Sequence, residues 1–214
     1  MRQIRMTLRD TAGAAMVEMA IVLPLVLLLT VGAIEIGLFL FQANAATKAA
    51  QLGARWAVVN QPVSTTLRTD LASIGWWVPD TIGESCEIVA GGCKPAPGTS
   101  YICKSGTVGC DFSQIIPQMQ RAFPTLQASE VTVTYQTFDS SEYALGFVGR
   151  PGGPPVRVTV TICKRLQFTF LDGFIPAFIN PPPPPECSGQ PDGFYTPATT
   201  RLTSESFGPP GVGT

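Results

Sequence analysis

The pattern of apolar positions changes along this chain. From Met19 to Leu40 nearly every residue is apolar. As a helix, these 22 residues extend for about 33 Å, enough to cross a bilayer. Pro24 lies in the first half, where a lipid-embedded helix tolerates it. The wider stretch Gly13–Phe41 carries two carboxylates, Glu18 near its start and Glu35 near its end. Beyond it, small residues recur at Ala43, Ala46, Ala50, Gly53 and Ala57. Those spacings predict that the helix continues with a small-residue face. Such a face suits close packing, against neighbouring helices or against this chain's own globular part. Lys48 and Arg55 fall off the face, and Asn60-Gln61-Pro62 ends the helix.

The period then drops to two. VTVTYQTF (Val131–Phe138) and VRVTVTI (Val156–Ile162) alternate apolar and polar residues, as half-buried strands do. GRPGGPP (Gly149–Pro155) between them is a turn-rich connection, so the two predict an antiparallel hairpin. QFTF (Gln167–Phe170) extends the second strand or adds an element. Residues 64–75 predict a short helix with Ser64 as its cap. Residues 111–126 predict another, with Asp111 near its start. The expected fold class is α+β: a long N-terminal transmembrane helix continuing into a small extracytoplasmic domain with an antiparallel β-sheet, stapled by disulfides.

Charge orients this picture. Arg2, Arg5 and Arg9 precede the apolar segment against Asp10 alone. The positive-inside rule then places the N-terminus in the cytoplasm and the remainder outside it. Over 214 residues the net charge is -1 and only 14% are charged, which gives nucleic acid no basic surface to bind. The sequence contains no histidine, so the commonest general base and metal ligand are both missing. No nucleophile–base, phosphate-loop or metalloprotease motif is present. Glu84 with Glu87, and Asp139 with Glu142, are near each other in sequence but in no pocket motif. The expectation is a protein that is not an enzyme, with no cofactor, no metal and no small-molecule substrate.

Six cysteines, Cys86, Cys93, Cys103, Cys110, Cys163 and Cys187, all follow the apolar segment. An even number on one side of a membrane span predicts disulfides in an oxidising compartment. Their spacing is not that of zinc knuckles. Local pairing gives Cys86–Cys93, Cys103–Cys110 and Cys163–Cys187. Nested pairing, Cys86–Cys110 with Cys93–Cys103, fits the symmetric spacing equally well. Trp76 and Trp77 suit a core position, an interface anchor or a sugar platform. Pro181–Pro185 predicts a stiff polyproline II spacer, also able to recruit a partner. A flexible tail is expected from Phe207 onward.

The two carboxylates are the unusual feature, because charge is costly in hydrocarbon. Three arrangements account for the opening segment. It is a plain anchor; a signal peptide cut after Ala43-Asn44-Ala45; or a prepilin-like segment whose basic leader ends at Gly13. In the third, the chain restarts at Ala14 and Glu18 becomes its fifth residue. The carboxylate then meets an α-amine, its own or a neighbour's, which lowers the desolvation cost of both charges. At the headgroup level Glu18 would instead be solvated and unpaired.

GAAMVEMAIVLPLVLLLTVGAIEIGLFLFQANAATKAAQLGARWAV resembles the N-terminal region of TadE-like pilus-assembly pseudopilins. The Gly13-to-Glu18 spacing, Leu23-Pro24, Ile34–Gly37 and Ala49–Ala57 carry the likeness. Val156–Pro176 and Ala198–Ser206 resemble, more weakly, the family's closing strand region and terminal segment. The cysteine-bearing middle, Ser85–Asp111, has no counterpart in that short motif. The resemblance implies a minor pseudopilin of a tight-adherence (Flp/Tad, type IV-like) pilus, processed after Gly13. Its partners would be a prepilin peptidase, other pilin-like subunits, the inner-membrane assembly platform and membrane lipid. It would cross the inner membrane once, with a periplasmic C-terminal domain. The domains expected are a leader at 1–13, the helix at 14–60, an α+β domain at 61–180 and a Pro-rich segment and tail at 181–214. One alternative is an unprocessed bitopic anchor presenting a disulfide-bonded binding domain. Another is a secreted disulfide-rich enzyme or effector beginning at Ala46.

Overall fold

The computed structural model describes residues 11–72, 83–84, 98–138, 155–165 and 181–204. Cys86, Cys93, Trp76, Trp77, QFTF and the tail from Phe207 lie outside them. Of the described residues, 11–41 belong to one compact unit and the rest to a second.

In the first unit, helix α1 (Thr11–Val59) begins and runs unbroken through Pro24. Its side chains from Met16 to Phe41 are apolar on all sides and almost all exposed; Met16 is 76% and Ile21 70% exposed. A helix apolar all round is built for an apolar surround. The segment is a candidate membrane span by length and composition, which fits a membrane-anchored protein. Leu, Met and Ala supply the helical propensity that lets it continue for so many turns.

In the second unit α1 has one buried face. Ala46, Ala50, Gly53 and Ala57 are buried as the spacing predicts, while Ala43 is only half-buried. Ala45, Ala49 and Ala54 are buried too, so the face is wider than the predicted stripe. These alanines share one apolar cluster with Val63, Leu67, Ile115 and Met119 and with the inner face of the sheet. The small-residue face is therefore occupied by this chain's own domain. A Cβ on Gly53 would stand 2.8 Å from the Met119 Sδ. Gly53→Leu should overpack that contact and cost about 1–3 kcal/mol. A lower melting temperature checks this; an unchanged one would mean that the face is open to other chains.

The sheet has four antiparallel strands in chain order: β1 (Ser100–Lys104), β2 (Val131–Thr137), β3 (Val156–Arg165) and β4 (Tyr195–Ser204). β2 and β3 pair as the expected hairpin, with Val133 opposite Val160. Their inner residues, Val131, Val133, Tyr135, Val156, Val158, Val160 and Ile162, are all buried. β1 arises inside the cysteine-bearing middle, and β4 inside the Pro-rich C-terminal segment, ahead of the tail expected from Phe207. β4 pairs with β3 over ten positions, from Val156↔Ser204 to Arg165↔Tyr195. It carries Pro197, which the outer strand of this sheet accommodates because proline has no N–H to contribute.

Two short helices accompany the sheet. Helix α2 (Thr65–Ala72) starts as expected, with the Leu67 N–H donating to the Ser64 Oγ at 3.2 Å. The helix predicted over 111–126 is only α3 (Ile115–Gln120). Asp111 forms a turn instead: its Oδ1 accepts from the Ser113 N–H at 3.0 Å. At the other end Phe123 precedes Pro124, which disfavours helical backbone there. The Ser113 hydroxyl and N–H hold the Asp111 carboxyl below the usual carboxylate range, helped by the charge of Arg68 and opposed by slight burial.

Tyr135 ties the sheet to the helical layer. Its hydroxyl, fully buried, accepts from the Val63 N–H at 2.9 Å, and burial pushes its titration far above that of an ordinary phenol. Tyr135→Phe strands a buried N–H, for about 1–3 kcal/mol. Denaturant titration should show a lower midpoint with an unchanged slope.

Candidate assembly site at the start of the apolar helix

Gly13 and Ala14 lie in the first turn of α1, which begins at Thr11. The backbone at the predicted junction is thus helical, not the extended form that a peptidase takes. Glycine weakens a helix by about 1 kcal/mol relative to alanine, and a first turn frays readily. A Cβ at Gly13 would meet nothing within 4 Å. Packing in this chain therefore imposes no glycine at 13, and any requirement for one arises elsewhere.

Glu18 is four residues after Ala14, one helical turn, so the two share a face. An amine created at Ala14 would start within one turn of this carboxylate. Glu18 is exposed and framed by exposed Met16, Val17, Met19 and Ile21. A carboxylate in that sleeve gains from any positive partner the surround offers.

Glu35 differs. It is 5% exposed, between Ile34 at 55% and Ile36 at 63%. It is buried while Glu18 is exposed, so the two carboxylates of the apolar segment stand in different surroundings. The contrast was not legible in the sequence, where both interrupt apolar runs.

The described cysteines of the second unit form two bridges. Cys103 pairs with Cys110 and Cys163 with Cys187, each with Cα atoms 5.5 Å apart. Nested pairing of Cys110 with Cys86 does not occur. The first bridge closes the turn after β1, where the Gly109 carbonyl also accepts from the Thr65 N–H at 2.8 Å. The second joins β3 to a 3-10 turn (Pro185–Cys187) ahead of β4. Among the described residues no three His, Cys, Asp or Glu side chains converge as a metal site.

Residues 13–55 match the family model described as TadE-like protein. The match agrees with the resemblance carried by the sequence motifs and takes in Gly13, Glu18, Glu35 and the small residues through Gly53. No curated protein matches the chain, and no solved structure matches it. The matched segment and the apolar helix together fit a membrane protein related to the Tad pilus.

Proposed function

We propose that this chain, TadE-like over residues 13–55, is a membrane-anchored minor pseudopilin that takes part in assembling a tight-adherence pilus. The observation that carries this reading is Glu18, exposed within a sleeve of apolar side chains five residues after Gly13. A prepilin peptidase cuts after Gly13, once the first turn frays, and leaves the apolar helix on the mature chain. The Ala14 amine and the Glu18 carboxylate then form a pair, within a chain or between neighbouring pilin-like subunits in the inner-membrane platform. The role is structural, not catalytic. Two disulfides support a periplasmic place for the second unit, and the three leader arginines support a cytoplasmic N-terminus.

One observation favours the alternative of an unprocessed bitopic anchor: α1 starts before Gly13, so its helix covers the junction. N-terminal sequencing with intact mass, on protein from membranes of the native host, separates the two. A start at Ala14 is the expected result. A start at Met1 leaves a plain anchor, and a start at Ala46 makes the opening segment a removed signal.

A further inference from the structure

We propose that Pro181–Pro184, together with the ring of Pro185 that opens the following 3-10 turn, is a preformed polyproline II ligand for a partner with an aromatic-lined groove, presented rigidly by the second unit. The chemistry starts from proline itself. Its ring fixes φ near −65°, and each of residues 181–184 precedes another proline, which drives it to extended backbone. Pro184 has φ −62 and ψ 157, the polyproline II values.

This helix repeats every three residues, so positions i and i+3 lie on one edge. The exposures follow that repeat: Pro182 and Pro185 are exposed, while Pro181, Pro183 and Pro184 are half-buried. The edge formed by Pro181 and Pro184 is anchored. The Pro181 carbonyl accepts from the Gly193 N–H at 2.9 Å, and the Pro184 carbonyl from the Cys187 N–H at 2.8 Å. Cys187 is buried and held to β3 by its disulfide. One edge is thus tied down at both ends, and the other offers two proline rings about 9 Å apart.

That spacing is what an aromatic-lined groove reads, and a ligand already in its bound conformation saves most of the ordering cost. The ends differ in charge. Glu186, exposed, follows Pro185 directly; at the Pro181 end Asp192 and Arg165 both flank Gly193, so their charges offset. The partner therefore carries a cation beyond the Pro185 end of its groove. This proposal is independent of pilus assembly.

The test uses the full chain in detergent micelles and, as probe, an isolated WW domain with an arginine beside its aromatic groove, followed by titration calorimetry. Saturable binding is expected, weakened roughly tenfold or more in Pro182→Ala/Pro185→Ala, with a smaller loss in Glu186→Gln. Both prolines are exposed, so melting should not change. A probe lacking its groove tryptophan, titrated against the unaltered chain, gives the same answer without relying on the variant's folding. No saturable binding, or equal binding by the double variant or the altered probe, would overturn the proposal.

Discussion

Replacing Cys163 and Cys187 together by alanine will cost the domain about 3.5 kcal/mol, more than any other pair substitution at its described cysteines. The bridge spans 24 residues of sequence. On the loop-entropy account, a link of that length removes about 3.5 kcal/mol of freedom from the unfolded chain, against roughly 2.5 kcal/mol for the seven-residue separation of Cys103–Cys110. The structural consequence is also larger. Cys187 leads into β4, the outer strand paired only with β3 among the described strands. Without the bridge, β4 must find its ten-position register at the end of a long untethered connection. Domains of this size are stable by only about 5–15 kcal/mol, so the loss should show as poor accumulation as well as early melting. Denaturant midpoints of the two double variants in micelles check the order. Equal or reversed losses would mean that native contacts, not chain entropy, set the contribution of each bridge.

On the proposed function, Glu18→Ala will leave insertion intact and impair pilus assembly. Insertion depends on the apolar sleeve from Met16 to Phe41, which the substitution leaves in place, and removing a charge from hydrocarbon only favours entry. Processing after Gly13 should also persist, since the helical first turn is unchanged. What disappears is the acceptor for an α-amine at Ala14. Glu18→Asp, which keeps the charge on a shorter stem, should retain part of the function, whereas Glu18→Gln should behave like alanine if charge is what pairs. Membrane fractionation, N-terminal mass and the yield of sheared pili read these steps separately. Normal pili in the alanine variant would remove Glu18 from the mechanism and leave it an interfacial side chain.

The small-residue face shows where sequence reasoning stops. Alanine and glycine at helical spacing allow a close approach without specifying what approaches. Ala46 and Ala50 read alike whether they meet a neighbour or this chain's own Met119, Leu67 and sheet. The buried cluster decides for the latter.

The sequence by itself determined several features whose cause is local. The apolar run and its length define α1, alternation defines β2 and β3, and Ser64 caps α2. Tertiary structure decided what depends on distant partners. β1 is five residues with Ile102 exposed, and β4 reads YTPATTRLTS, so neither shows a clear two-residue period. Each is a strand because β2 or β3 presents an edge to it. The choice of Cys110 for Cys103 follows from the turn that the sheet and Thr65 hold closed. The burial of Glu35 and the exposure of Glu18 belong to the same class. A period in sequence records which side of an element is covered; it carries no record of what covers it.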